Sequence, residues 1–241
     1  MGQPWPRPCA LKQTMSLILQ IETATASCSV ALAKDGKPVA LKEINQRNIH
    51  AEVITVFIEE LLNTAAVAYS HLDAIAVSCG PGSYTGLRIG ISTAKGLCFA
   101  LDKPLIAIET LEAMAAGVRH SEGYNENDKA LLCAMIDARR MEVFTAVFDA
   151  DGNRITPTKA EIVTAESFEH LLECNKILFF GDGAEKCKAL LGENPNAVFL
   201  PGFINSAAYL SEKAFEKFSQ RDFEDVGYFE PYYLKDFIGK K

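Results

Sequence analysis

The stretch LILQIETATASCSVALAKDGKPVALKEI, residues 17–44, decides the fold, because it holds three strands in immediate succession. Residues 17–22, 28–34 and 37–44 are short apolar runs separated by turn chemistry. Residues 23–27 supply a small polar turn, and Lys34-Asp35-Gly36-Lys37 is a hairpin signal of the Asp-Gly kind. Downstream the period changes. Val53, Ile54, Phe57, Ile58, Leu61 and Leu62 recur at spacings of three and four, which predicts a helix over residues 48–66 with Asn48 as its cap. A strand at 72–78 then feeds Gly80-Pro81-Gly82-Ser83 and a second helix over 84–101, followed by a strand at 104–108 and a helix at 110–118.

Residues 120–129 are polar and read as a linker, after which the pattern restarts. A hairpin is expected from 131–137 and 141–149, a third strand from 154–163, and a helix from 164 to 174. A strand at 176–180 runs into Gly181-Asp182-Gly183 and a further helix, and Asn205 is expected to cap a last helix reaching Ser219. Three strands followed by alternating helices and strands, occurring twice, predict an α/β protein of two ribonuclease-H-like lobes, each a mixed sheet with helices. The lobes are expected at 15–119 and 130–241, with the last helix able to pack back on the first. Residues 1–14, with Pro4, Pro6 and Pro8, read as a disordered extension, and Met15 as an alternative start.

The 241 residues carry 49% hydrophobic and 23% charged side chains, enough for a sizeable core, and a net charge of −7. That balance argues against gripping a phosphate backbone unaided, which needs clustered Lys and Arg. Seven cysteines without a C-x-x-C pair suit reduced thiols in a cytoplasmic protein. No apolar run approaches the roughly 20 residues of a membrane span.

Two segments carry candidate chemistry. At the end of the first strand, Glu22 with Thr23, Thr25 and Ser27 offers an acid and a hydroxyl-rich turn to a nucleotide phosphate, although an ordinary polar hairpin has the same composition. Gly80 to Gly90, GPGSYTGLRIG, is a glycine-rich turn opening a helix, yet it matches neither the P-loop nor the G-x-G-x-x-G spacing. Gly86, Gly90, Ala94 and Cys98 recur every four residues, giving that helix one face of small side chains. Interior glycines cost about 1 kcal/mol each relative to alanine, so close approach of another element is expected there, within the chain or across an interface. His50, His71, His120 and His170 are scattered and form no metal-binding pair.

Taken together, IETATASCSVAL at 21–32, GPGSYTGLRIG at 80–90, IDARRMEVF at 136–144 and EPYYLK at 230–235 resemble the TsaB family, a paralogue of TsaD among the actin-like ATPase and glycoprotease-like proteins. Glu22 stands where the family usually has Asp, and Lys235 where Arg is usual. The resemblance implies an actin-like fold and a metal-free, non-catalytic partner of TsaD in forming threonylcarbamoyladenosine on tRNA. In that scheme TsaE joins as the ATPase, a TsaC-type enzyme supplies the adenylate, ATP is consumed by the complex, and tRNA is met only through it. It further implies a four-helix seam with TsaD, or with a second copy when TsaD is absent, built from residues 48–66 and 84–101. His50, Val53, Ile54 and Phe57 would contribute from the first helix, and Gly86, Arg88, Gly90 and Ala94 from the second. Glu22, Thr23, Thr25 and Ser27 would be a vestigial nucleotide site. The rival readings are an autonomous ATP-binding phosphotransferase and a glycoprotease-like peptidase.

Overall fold

A computed structural model describes residues 15–121, 124 and 129–235. The expected extension at 1–14 and most of the expected linker, residues 122, 123 and 125–128, lie outside the described residues. The first sheet holds β1 (Leu17–Glu22), β2 (Ser27–Lys34), β3 (Lys37–Asn45), β4 (Ala74–Gly80) and β5 (Leu105–Glu109) in the order β3-β2-β1-β4-β5. Pairing is antiparallel across β3, β2 and β1 and parallel from β1 through β4 to β5. Asp35 and Gly36, both at positive φ, make the tight β2–β3 turn the Asp-Gly signal predicts.

Strand alternation sorts the two faces of this sheet. Leu19, Ile21, Val30, Ile75 and Val77 point to one side, where α1 (His50–Thr64) and α2 (Tyr84–Leu101) bury Ile54, Ile58, Leu62, Leu87 and Ile91 on them. Ile18, Ala74, Ala76, Ile106 and Ile108 point to the other, covered by Ala113 of α3 (Thr110–Val118) and by Leu210 and Ala214. Ala214 belongs to α6 (Ser211–Gln220), so the chain comes back to its first sheet after building its second.

That second sheet holds β6 (Leu131–Asp137), β7 (Glu142–Phe148), β8 (Lys159–Ile162), β9 (Ile177–Phe180) and β10 (Ala197–Phe199), in the order β10-β9-β6-β7-β8. Read from its antiparallel edge, this is the order of the first sheet again, with α4 (Glu169–Leu172) and α5 (Ala184–Leu191) in the crossovers. The duplicated topology is that of two ribonuclease-H-like lobes. Between them lies α3, whose Leu111, Met114 and Val118 pack on Leu132, Ala134 and Phe180 of the second sheet while Ala113 faces the first.

Several boundaries depart from expectation for local reasons. Asn48 does not cap α1; it adopts φ +64°, and the helix begins on Ile49, whose carbonyl accepts from Glu52 N and Val53 N. The third strand of the second lobe starts at Lys159 rather than 154, because Asp149 Oδ1 folds residues 149–153 into a turn and Pro157 has no N–H to pair. The helix expected over 164–174 is reduced to α4, since Phe168 turns left-handed at φ +66° and sets its ring edge-on to Phe179. Near residue 206 the capping oxygen comes from Ser206, not Asn205, and a 3-10 turn precedes α6. Three-residue β10 was too short for periodicity to register.

The two kinds of glycine in α2 should separate cleanly. A Cβ on Gly90 would overlap Thr23 Oγ1, whereas one on Gly96 would meet nothing within 4 Å. Gly96→Ala is expected to raise stability by about 0.5–1 kcal/mol through helix propensity. Gly90→Ala is expected to lower it by about 1–3 kcal/mol through overpacking. Urea titrations of both variants measure the difference, and equal effects would contradict the packing described.

Candidate functional site

The turn between β1 and β2 is wedged against the N-terminal half of α2. Thr23 Oγ1 donates to Gly86 O at 2.8 Å, and Ser83 N donates to Ala24 O at 2.7 Å. Cβ atoms on Gly82 and Gly86 would run into the Ala24 and Thr23 carbonyl oxygens, so these two glycines set how closely helix and turn approach. Ser83 caps α2 by accepting from Gly86 N, as its position predicts. His50 holds the turn from the opposite side, its Nε2 lying 3.0 Å from Thr25 O and 3.2 Å from Ser27 O.

This wedge encloses the acid in the core. Glu22 is fully buried, and Oε1 accepts from Ala24 N at 2.5 Å. The Ala24 N–H, and after it Ser78 and Asn205 beside the carboxyl, act to lower its pKa, but Oε2, Ser78 Oγ and Asn205 Nδ2 do not complete hydrogen-bond geometry. Burial dominates and pushes Glu22 up from 4.5 to about 7. Thr23 is likewise buried with its hydroxyl engaged. Of the four residues expected around a phosphate, Glu22 and Thr23 therefore belong to the core, and only Thr25 and Ser27 border open space.

That space is the cleft between the lobes. A cavity of about 440 Å³ lies among Thr25, Arg47 and His50 on one side and Asp137, Arg139 and Asp182 on the other. A smaller one of about 50 Å³ continues inward past Ser27 to Asn205. Opposite charges alternate around the larger cavity. Burial would raise Asp137, yet Lys186 and the Arg139 N–H outweigh it and hold its carboxylate below the usual range. Asp182 Oδ1 accepts from Asp137 N at 2.9 Å, tying two loops of the second lobe together. Among the described residues, no three His, Cys, Asp or Glu side chains converge as metal ligands.

The expected seam residues divide into two groups. Gly86, Gly90 and Ala94 face inward onto the turn and sheet, with Cys98 and Ile54 in the same core, and His50 is spent on the turn. The small face thus serves packing within the chain. Val53 and Phe57 are half-buried, Phe57 lying under Lys42 Nζ at 5.2 Å, and Arg88 is exposed. The outward face of α2 is a different stripe: Thr85, Arg88, Ser92, Gly96 and Phe99, with Phe99 87% exposed. Beside it α1 presents Val56, 46% exposed. Phe99 falls outside the apolar positions 87, 91, 94 and 98, and that break in period is the signal by which the sequence could have revealed this face.

The buried acid makes a pH-dependent stability testable. Because the folded pKa of Glu22 lies above its unfolded value, the folded state binds the extra proton, so its contribution is fully present below pH 4.5 and is lost as pH rises towards 7. Relative to Glu22→Gln, which mimics the neutral acid, the native chain should lose up to about 1.4 kcal/mol per pH unit in that window. Parallel denaturation curves for the two proteins between pH 4.5 and 7 would contradict the burial argument.

Comparison with known proteins agrees with this architecture. The family model described as "TsaD: tRNA N6-adenosine threonylcarbamoyltransferase" matches residues 42–228. The chain is 31% identical to the TsaB protein of Bacillus subtilis over 195 residues, covering 79% of this chain and 80% of that one. It is 39% identical over 138 residues to TsaB of Escherichia coli K12, a stretch spanning 57% of either chain. The structure of YeaZ from Pseudomonas aeruginosa superposes with a TM-score of 0.75 at 26% identity, covering 91% of this chain and all of that one. The buried β1–β2 turn, the GPGSYTGLRIG helix and the duplicated sheet order are thus framed by near relatives along most of their length: this chain belongs to the TsaB family.

Proposed function

We propose that the chain is a non-catalytic partner of TsaD in forming threonylcarbamoyladenosine on tRNA. The observation carrying this reading is the family match across nearly the whole fold, in which the acid at the end of β1 is sealed in the core. TsaD binds this chain, TsaE joins as the ATPase, and a TsaC-type enzyme supplies the threonylcarbamoyl adenylate upstream. TsaD then transfers the threonylcarbamoyl group to the N6 amine of adenosine, with AMP leaving. The chain itself needs no cofactor, works in the cytoplasm and meets tRNA only through the complex. Its acidic balance fits that division, since a net charge of −7 repels a phosphate backbone.

The seam with TsaD lies on the outward faces of α1 and α2. Ser92 and Gly96 leave room for a helix to approach α2 closely, with Val56 and Phe99 supplying apolar area on either side. A second copy of the chain occupies the same face when TsaD is absent.

Reconstitution with cognate TsaC, TsaD, TsaE, ATP, threonine, bicarbonate and tRNA should yield modified tRNA only when the chain is added; equal product without it would refute the proposal. Ser92→Arg places a long charged side chain on the exposed stripe. It should leave the melting temperature within a degree or so while weakening TsaD binding by about tenfold or more. Undiminished binding would move the seam elsewhere.

A further inference from the structure

Arg88 is exposed, yet it is held on two sides. Its Cζ lies 4.2 Å from the centroid of the Tyr84 ring, and its Nε donates to Tyr233 Oη at 3.0 Å. The two tyrosine rings themselves meet at a 30° tilt with centroids 4.8 Å apart. Tyr84 opens α2, but Tyr233 comes from the segment that follows α6 and runs along the edge of that helix. This segment is fastened at several points. Lys95 Nζ donates to Phe229 O at 2.9 Å and Gly227 O at 3.3 Å, and Tyr232 N donates to Cys79 O at 2.8 Å. The Tyr232 carbonyl also rests where a side chain on Gly80 would otherwise stand, and Lys235 pairs with Glu142 of the second lobe.

An arginine gripped through Nε and one ring face keeps both Nη groups directed away from its holders. Among the described residues these four N–H bonds have no partner. The guanidinium is planar and already oriented, so little rotamer entropy is lost when it meets a two-oxygen acceptor. It heads the exposed stripe that ends in Phe99, and Tyr228, 88% exposed, lies on the fastened segment one residue from the Lys95 contacts. A carboxylate and a phosphate fit such a fork equally well. Glu230, on the fastened segment, acts electrostatically on Arg88, and in a chain of net charge −7 this disfavours a polyanionic backbone more than a single carboxyl side chain.

We propose that Arg88, oriented by Tyr84 and Tyr233, is the anchor of the TsaD seam and receives an Asp or Glu carboxylate of TsaD in a two-pronged contact, which makes the segment around Tyr233 part of the docking surface. The inference rests on the function proposed above. It is tested by titrating cognate TsaD into the full chain and into Arg88→Ala, Arg88→Gln and Tyr233→Phe, with melting temperatures measured alongside. Arg88→Ala and Arg88→Gln should weaken binding about 30-fold or more, as for a desolvated arginine anchor, and Tyr233→Phe about three- to tenfold by loosening the grip. Binding by the native chain should also weaken with salt more steeply than binding by Arg88→Gln, a difference that a purely structural arginine would not produce. One acidic residue of TsaD should show coupling to Arg88 in a double-mutant cycle. If the native chain does not bind TsaD, the proposed function falls. If the native chain binds and the Arg88 variants bind within twofold of it, only the anchor falls. Unchanged TsaD affinity with lost tRNA binding by the complex would assign Arg88 to phosphate and overturn the carboxylate.

Discussion

The close approach of Thr23 to the backbone of α2 is the constraint on which the rest depends. A helix can lie this near a turn only where it has no Cβ, and Gly82, Gly86 and Gly90 present bare backbone in register with Ala24 and Thr23. The hydrogen bond from Thr23 Oγ1 to Gly86 O then fixes the depth of the contact. Three consequences follow. The carboxyl of Glu22 is enclosed behind the turn; α2 is rotated so that Leu87, Ile91 and Ala94 meet the sheet; and its opposite side, from Arg88 to Phe99, is left facing solvent. One tight contact therefore both closes a site in the core and opens a surface outside it.

Much of this was legible in the residues. Short apolar runs with an Asp-Gly turn pointed to the three leading strands, and the three-and-four spacing of Val53 to Leu62 to α1, because those signals arise within one element and need no distant partner. The repeated order of strands and helices was enough for two ribonuclease-H-like lobes. Where expectation failed, a side-chain contact outside the periodic pattern decided. Phe168 leaves helical geometry to reach Phe179, and residues 149–153 close around the Asp149 carboxylate, neither of which a period reports. The spacing of Gly86, Gly90 and Ala94 correctly announced a close approach but could not say to what; Thr23, more than 60 residues away, was the answer. Sequence likewise gives no warning that Tyr233 returns to Arg88, since the pair is 145 residues apart.

The cleft and the outer face are physically linked through shared residues. Thr25 borders both cavities, and the turn it sits in rests on α2, whose far side carries the exposed stripe. The segment from Gly227 to Lys235 touches α2, the end of β4 at Cys79 and then Glu142 of the second lobe, bridging the two sheets.

The return of α6 to the first sheet has a bearing on how the protein is made. The cover that Ala113 begins over Ile18, Ala74, Ala76 and Ile106 is completed by Leu210 and Ala214, almost 200 residues after Ile18 itself. While the ribosome is still synthesising the second lobe, the first has one face of its sheet partly bare and cannot settle into its final packing, whatever its local preferences. Strict lobe-by-lobe maturation during translation is thus closed to this topology. The nascent chain carries a half-covered sheet while its second lobe is made, and α6 then reaches back to strands that emerged almost 200 residues earlier.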